Sequence, residues 1–442
     1  MSYISVTREE KDAMLRATGA SCIDDLFKDI PESIRLKGLP DLDGPLSEIE
    51  VEKKAGQAAS GNMPLVPLLG AGSYLHHVPS VVDELCSRSE FYTAYTPYQP
   101  EVSQGTLTAI FEFQTMICEL TGMEVANASM YDGATSLAES VLMAVRAKKR
   151  DRVIVSRAVH PHYRQVLRTY CDAGDVRYEE AAFENGTTQP GEIDRLMDET
   201  TGAVVTQSPN FFGLIEDTAS LSAAAGRGGA CSISVVTEAM SLGLLKPPGK
   251  CGADIVCGEA QSFGSYPGFG GPQLGFLAVR GDLMRKIPGR LVGRSVDTDG
   301  REAYVLTLQT REQHIRRERA TSNICTNEGL MALRSVIYLS LLGPRLRELA
   351  LLNHRLASRL RQGLIQAGMN PVWEGPFFNE FAVRCPDIDG FSARMKEMGY
   401  IPGLGLGEYY DEYSDCILFC ATEMLTPGEI DNIAAEAGRF FR

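Results

Sequence analysis

The chain has 442 residues, 44% of them hydrophobic and 23% charged, with a net charge of −14. This composition describes a folded chain of two or three domains, or one large α/β domain with appendages, rather than a disordered one. The acidic balance argues against nucleic acid as a main partner.

No apolar run reaches the roughly 18 residues of a membrane span, and MSYISVTREEKDAML at the start lacks the apolar core of a secretory signal. The 11 cysteines are scattered without a C-x-x-C pair. The expectation is a cytoplasmic chain with reduced thiols, no metal site and no membrane association.

In chain order, Ser5 to about Leu39 reads as a helical arm. Thr7 is placed to cap its start with Glu10 three residues on. Ile23, Leu26, Phe27 and Ile30 form an apolar stripe that needs a cover. A second helix runs from Leu46 to about Ala59. Leu68 to Pro79 is a glycine loop carrying His76 and His77, which are more often structural than catalytic in such a setting. Tyr92 to Gly105 is an extended, proline-rich stretch. It either places several tyrosine hydroxyls on one surface or packs its tyrosines into a crossing loop. A long helix follows from about Thr106 to Leu120.

Asn127 to Met130 reads as a short strand, and Tyr131 to Ser136 as a turn entering a helix that ends near Lys148. Such a turn offers free amides to an anion. Here Asp132 supplies a carboxylate that can cap those amides itself and would repel a phosphate.

Strands are predicted at Arg152–Arg157, Ala203–Thr206 and Ser232–Val236, the last ending at Thr237-Glu238. The stretch Ala253 to Val279, ADIVCGEAQSFGSYPGFGGPQLGFLAV, reads as a strand, a loop too glycine-rich for a helix, and a second strand. It contains no lysine, and none occurs between Lys250 and Lys286. The alternation of strands and helices implies a mostly parallel sheet covered on both faces, with ligands at the carboxyl ends of its strands.

Gly281 to Gly300 is polar and broken. Arg316, Arg317 and Arg319 precede Thr321-Ser322-Asn323, a turn that could grip an anion or simply border a solvated face. Helices follow from about Glu328 to Leu341 and Pro344 to Ala367. The tail then adds a strand at Phe381–Arg384, a helix at Gly390–Met398, a strand at Ile417–Cys420 and a last helix capped by Thr426. The implied domains are a helical arm (1–60), a large α/β domain (61–340) and a small C-terminal α/β domain (341–442).

The Ala253–Val279 stretch resembles the segment of aminotransferase-like, fold type I pyridoxal-phosphate enzymes that carries the Schiff-base lysine. The corresponding position here is Gln261 or Ser262. Glu238 stands near the place of the aspartate that pairs with the pyridine nitrogen in those enzymes, although a surface or subunit-contact glutamate is an equal alternative.

A more specific resemblance lies in YTAYTPYQPEVSQGTLTAIFEFQTMICELTGMEVANASMYDGAT, with GAGSYLHHVP, QSPNFFGLIED, GGPQLGFLAVR and RRERATSNICT. These segments resemble the glycine dehydrogenase (decarboxylating) family, the P-protein of the glycine cleavage system. The likeness runs over nearly the whole chain and is to the N-terminal half, called subunit 1 or alpha where the protein is split.

The resemblance implies an α2β2 assembly with a lysine-bearing subunit 2 (beta) that binds pyridoxal phosphate. Glycine would be decarboxylated there and its aminomethyl group passed to the lipoyl arm of H-protein. It implies that this chain has no catalytic lysine or cofactor of its own. Tyr95, Tyr98, Gln99, Thr321, Ser322 and Asn323 would then be contributed to the partner's site. The alternatives are a self-sufficient pyridoxal-phosphate enzyme using Lys246 or Lys250, and a non-catalytic scaffold of the same fold.

Overall fold

The computed structural model describes residues 6–441, and they fall into two compact units that divide between Met63 and Pro64. In the first unit, α1 (Arg8–Thr18) begins at a capping box in which Thr7 and Glu10 satisfy each other's backbone N–H groups. Helix α2 (Glu48–Ser60) begins at the same device built from Ser47 and Glu50. Between them the expected helical arm continues only as short helical turns, at Ile23–Phe27 and Glu32–Ile34. Ile30-Pro31 separates these turns, because a proline disfavours helix in the residue before it. Ile23, Leu26, Phe27 and Ile30 remain 41 to 50% exposed.

The second unit opens with α3 (Ser80–Cys86) and α4 (Gln104–Thr121), which ends at Gly122 in the left-handed conformation. Then come β1 (Val125–Ala126), α5 (Gly133–Lys148), β2 (Arg152–Ser156), α6 (Pro161–Ala173) and β3 (Arg177–Ala181). They are followed by β4 (Thr201–Gln207), α7 (Thr218–Arg227), β5 (Cys231–Val236), β6 (Ile255–Glu259) and β7 (Gly275–Val279). The seven strands form one sheet in the order β1-β7-β6-β5-β4-β2-β3. From β6 to β3 every pairing is parallel, whereas β7 runs antiparallel to both β6 and β1.

Strands β2, β4, β5, β6 and β7 are buried along their whole length, as expected of strands covered on both faces. One face packs Leu137, Val141 and Ala144 of α5 against Val153, Val205, Ile233 and Leu277. The other packs Phe113 and Ile117 of α4 against Val256, Phe276 and Ala278, with Ala332 and Val336 further along the chain.

Three features depart from expectation. The strand expected at Asn127–Met130 is displaced to β1, and only Met130 pairs beyond it, with Gly275. Strand β3 was not foreseen: its sequence, RYEEA, is polar because it forms the sheet edge, with most of its residues only half-buried. The polar stretch after Gly281 contains a strand, β8 (Leu291–Val296), which pairs with β9 (Glu302–Thr307) in an antiparallel ribbon.

Helices α8 (Gly329–Leu342) and α9 (Leu346–Gln366) lead to a separate antiparallel sheet. Its strands are β10 (Asn370–Pro371), β11 (Glu380–Arg384), β12 (Leu404–Gly405) and β13 (Cys416–Cys420), in the order β10-β11-β13-β12. Helix α10 (Ile388–Glu397) lies between β11 and β12 in sequence, and α11 (Pro427–Phe440) closes the chain from a Thr426–Glu429 capping box. Among the described residues no helix is long and apolar enough to cross a membrane.

Candidate functional site at the carboxyl ends of the sheet

Strand β6 ends at Glu259, and Gln261 stands two residues on, fully buried. Its side-chain carbonyl accepts from the Tyr74 N–H at 3.0 Å. Its amide nitrogen donates to the carbonyls of Tyr74 at 3.0 Å and Ser265 at 2.5 Å. One glutamine therefore ties the glycine loop 68–79 across the sheet end. The fit is close: a Cβ on Gly72, whose φ is +93°, would lie 2.9 Å from His160 Nε2. Neighbouring Ser262 is buried, and its Oγ has no hydrogen-bond partner.

The same loop is held at two further points. Tyr74 Oη donates to Glu380 Oε2 at 2.8 Å, and the Ala71 N–H donates to Glu380 Oε1 at 2.6 Å. Desolvation pushes the Glu380 carboxyl up to about 7. His76 sits between Glu238 at the end of β5 and Glu423 after β13, with Nε2 3.1 Å from Glu238 Oε2 and Nδ1 2.9 Å from Glu423 Oε2. Burial opposes a charge on His76, but the two carboxylates outweigh it and raise the imidazole to about 10. Burial likewise opposes charge on Glu423, and the His76 hydrogen bond overcomes it and holds that carboxyl at about 2.

Glu238 is only 1% exposed and is no surface or subunit-contact residue in this chain. His76 and His77 part company, the first buried in this clamp and the second exposed.

At the start of α5, Asp132 Oδ1 accepts from the Thr135 N–H at 2.8 Å, as its position before a helix predicts. Glu259 Oε2 accepts from the Gly133 N–H at 3.0 Å, while its other oxygen accepts from the N–H groups of Leu274 and Gln261. A phosphate dianion here would meet two carboxylates already seated on the amides. With no lysine between Lys250 and Lys286, a loop pinned across the strand ends and carboxylates on the helix, these residues do not fit pyridoxal phosphate. Lys246 and Lys250 are both exposed and both precede β6, whereas Gln261 follows it.

The tyrosine segment meets the stretch that follows the polar turn, at Thr326 and Asn327. Thr96 Oγ1 and Thr326 Oγ1 are 3.0 Å apart. Tyr92, Tyr95, Thr96, Thr326 and Asn327 line a cleft of about 160 Å³, and of the six residues singled out in the sequence only Tyr95 is among its lining. Tyr95 is 84% exposed. Tyr98 Oη accepts from Arg290 Nη2 at 2.9 Å, and the Arg290 guanidinium also lies over the Tyr98 ring. Arg290 is almost fully buried, with Glu312 3.6 Å away.

Gln99 is exposed, Thr321 N–H donates to the Arg311 carbonyl, and Ser322 Oγ accepts from the Ile324 N–H. Asn323 is exposed beside them. Arg316 ends a single α-helical turn, Gln313–Arg316, and Arg317 and Arg319 lie in a separate 3-10 turn that follows it. The residues overlooked in the sequence are Arg290, Glu312 and Asn327, which sit in stretches without periodicity. Glu380 and Glu423 were missed because their partners lie more than 300 residues away.

Comparison with known proteins places these observations. The family description "Glycine cleavage system P-protein" matches residues 1–436. A probable glycine dehydrogenase (decarboxylating) subunit 1 from Moorella thermoacetica is 48% identical over 440 residues, which are 98% of each chain. The crystal structure of a glycine decarboxylase (P-protein) in inhibitor-bound form superposes with a TM-score of 0.87 at 44% identity, covering 99% of this chain and 100% of that one. An aspartate aminotransferase from Thermus thermophilus, at 14% identity, shares the fold alone, with a TM-score of 0.58 over 85% of this chain and 98% of that one. The fold is thus aminotransferase-like, of the pyridoxal-phosphate fold type I class.

Proposed function

We propose, from the premise that this chain belongs to the glycine cleavage system P-protein family, that it is the lysine-less subunit of a heteromeric, cytoplasmic glycine decarboxylase. The observation that carries the reading is Gln261, which stands at the end of β6 with all its side-chain groups bonded to this chain's own backbone. The lysine and pyridoxal phosphate are then on subunit 2 (beta), in an α2β2 assembly. When bound there, the cofactor supplies the electron sink for loss of the glycine carboxylate. The aminomethyl group passes to the lipoyl arm of H-protein.

The part played by this chain is to complete and orient the partner's pocket. The cleft between the tyrosine segment and Thr326-Asn327 is its contribution. Tyr95 is free to reach across, and Tyr98 is held by Arg290. Gln99, Thr321, Ser322 and Asn323 lie outside the lining of that cleft and would offer their amide and hydroxyl groups to the partner separately. An apolar groove of about 880 Å³ shares Phe91, Ala109 and Leu333 with that cleft and continues to Val81 and Leu341. An apolar surface of this kind beside a candidate site supports a partner chain as its cover.

The test is to purify this chain alone and with the lysine-bearing subunit, add pyridoxal phosphate, and trap the cofactor with borohydride. Label confined to the partner chain, together with exchange of labelled CO2 into glycine only in the mixture, is the expected result. Label on this chain alone sinks the reading, and peptide mapping would then begin with Lys246 and Lys250.

A further inference from the structure

The clamp on His76 sets a hydrogen-bonding condition. Nε2 faces Glu238 Oε2 at 3.1 Å, and Nδ1 faces Glu423 Oε2 at 2.9 Å. The remaining carboxylate oxygens are taken by backbone donors: Met240 N–H to Glu238 Oε1 at 2.8 Å, and His77 N–H to Glu423 Oε1 at 2.8 Å. Asn379 Nδ2 adds a donor to Glu238 Oε2 at 3.3 Å. Ionised carboxylates only accept, a neutral imidazole has one N–H, and an imidazolium has two. With both ring nitrogens on carboxylates, the imidazolium is the state that leaves no lone pair facing another in a region closed to water.

The place of this cation matters. Glu238 follows β5 at the carboxyl end of the sheet, where enzymes of this fold class set an acidic side chain against the protonated pyridine nitrogen of their cofactor. We propose that His76 is a built-in cationic ring that stands in for the cofactor's pyridinium against Glu238, so that the sheet end is complete without pyridoxal phosphate. The inference rests on the reading that this chain carries no cofactor of its own.

The ring is also a positioning device. It bolts down the loop that leads through Val78 and Pro79 into α3, whose Asp83 accepts from Tyr266 Oη at 3.1 Å, and on to the tyrosine segment. The other titratable groups that sense Glu238 or Glu423 are Tyr74 on the loop, Tyr338 on α8, Glu380 on β11 and Cys420 on β13. None of them is cationic, so none opposes the proton on His76.

The test is nitrogen-15 NMR of the full chain labelled at its six histidines, with the His76 signals assigned by their loss in His76→Gln. The expected result is two protonated ring nitrogens that stay unchanged from about pH 6 to 9. A neutral tautomer at pH 7 overturns the proposal. As a second measurement, His76→Gly should melt on the order of 3–5 °C lower, from the loss of a buried charge partner in a chain of this size. Added imidazole, which can enter as a cation, should recover part of that loss, and pyrrole, a neutral ring of the same size, should not. Equal rescue by pyrrole would mean that the ring only fills space. Neither readout uses the partner subunit or turnover, so a failure here is distinct from a failure of the borohydride experiment.

Discussion

Replacing Gln261 with methionine keeps the length of the side chain and removes its three hydrogen bonds. The Tyr74 N–H, the Tyr74 carbonyl and the Ser265 carbonyl would then be left in the buried sheet end without their present partner. A buried backbone group deprived of its partner costs about 1–3 kcal/mol. The Ser265 carbonyl lies in a loop that can adjust, so the two Tyr74 groups dominate, and the expected loss is about 3–5 kcal/mol. For a chain of this length, with an unfolding entropy of about 2 cal/mol/K per residue, that lowers Tm by roughly 3–5 °C.

Ser262 provides the control at the next position. It is equally buried, but its hydroxyl has no partner to lose, so Ser262→Ala should change stability by less than about 0.5 kcal/mol or raise it. Urea unfolding of the two variants, with hydrogen exchange read at the Tyr74 amide, measures both. If Gln261→Met costs no more than Ser262→Ala, and the Tyr74 amide keeps its protection, the glutamine does not hold the loop and the account of a filled site fails.

Restoring only the missing lysine should not restore a cofactor site: Gln261→Lys treated with pyridoxal phosphate and borohydride is expected to retain no label, because Asp132 and Glu259 still occupy the helix amides. Stable labelling at position 261 would refute that argument. Tyr98→Phe removes an acceptor from the buried Arg290 and should cost about 1–2 kcal/mol in urea unfolding. Tyr95→Phe, at an exposed side chain, should leave stability within about 0.5 kcal/mol while slowing the assembled enzyme; the reverse pattern would exchange their roles. Burial raises Glu216, Glu259 and Glu380 to about 7, so the folded chain keeps protons that the unfolded chain has released above about 4.5. Their contribution is full below that value and is lost as pH rises towards 7. Unfolding measured from about pH 5 to 8 should show this decline, with Glu259→Gln and Glu380→Gln each flattening it, and an unchanged slope in both variants would contradict the assignment.

The sequence exposes features that depend on neighbours a few residues away. Thr7 with Glu10, Asp132 with Thr135, and Thr426 with Glu429 are caps set by spacing alone. The buried strands β5, β6 and β7 are visible as short apolar runs because parallel strands covered on both faces have no polar side to interrupt them. Strand β3 is hidden because an edge strand need not be apolar. The ribbon of β8 and β9 is hidden because its far end is exposed and polar, at Arg294 to Val296 opposite Glu302 to Tyr304. Long-range pairs leave no local trace: nothing near Glu238 announces that its partner is His76, 162 residues earlier. The absence of a lysine is legible in the sequence, but what fills its place is a property of the loop that folds back over it.

The filled end of the sheet also bears on nutrition and supply. A protein stabilised by binding a vitamin-derived molecule becomes less stable when that molecule is scarce, since ligand concentration enters its folding equilibrium. The carboxyl end of this sheet is sealed by Gln261, His76 and Glu380 from the same polypeptide, and so removes that dependence. This chain on its own is expected to melt at the same temperature with or without pyridoxal phosphate.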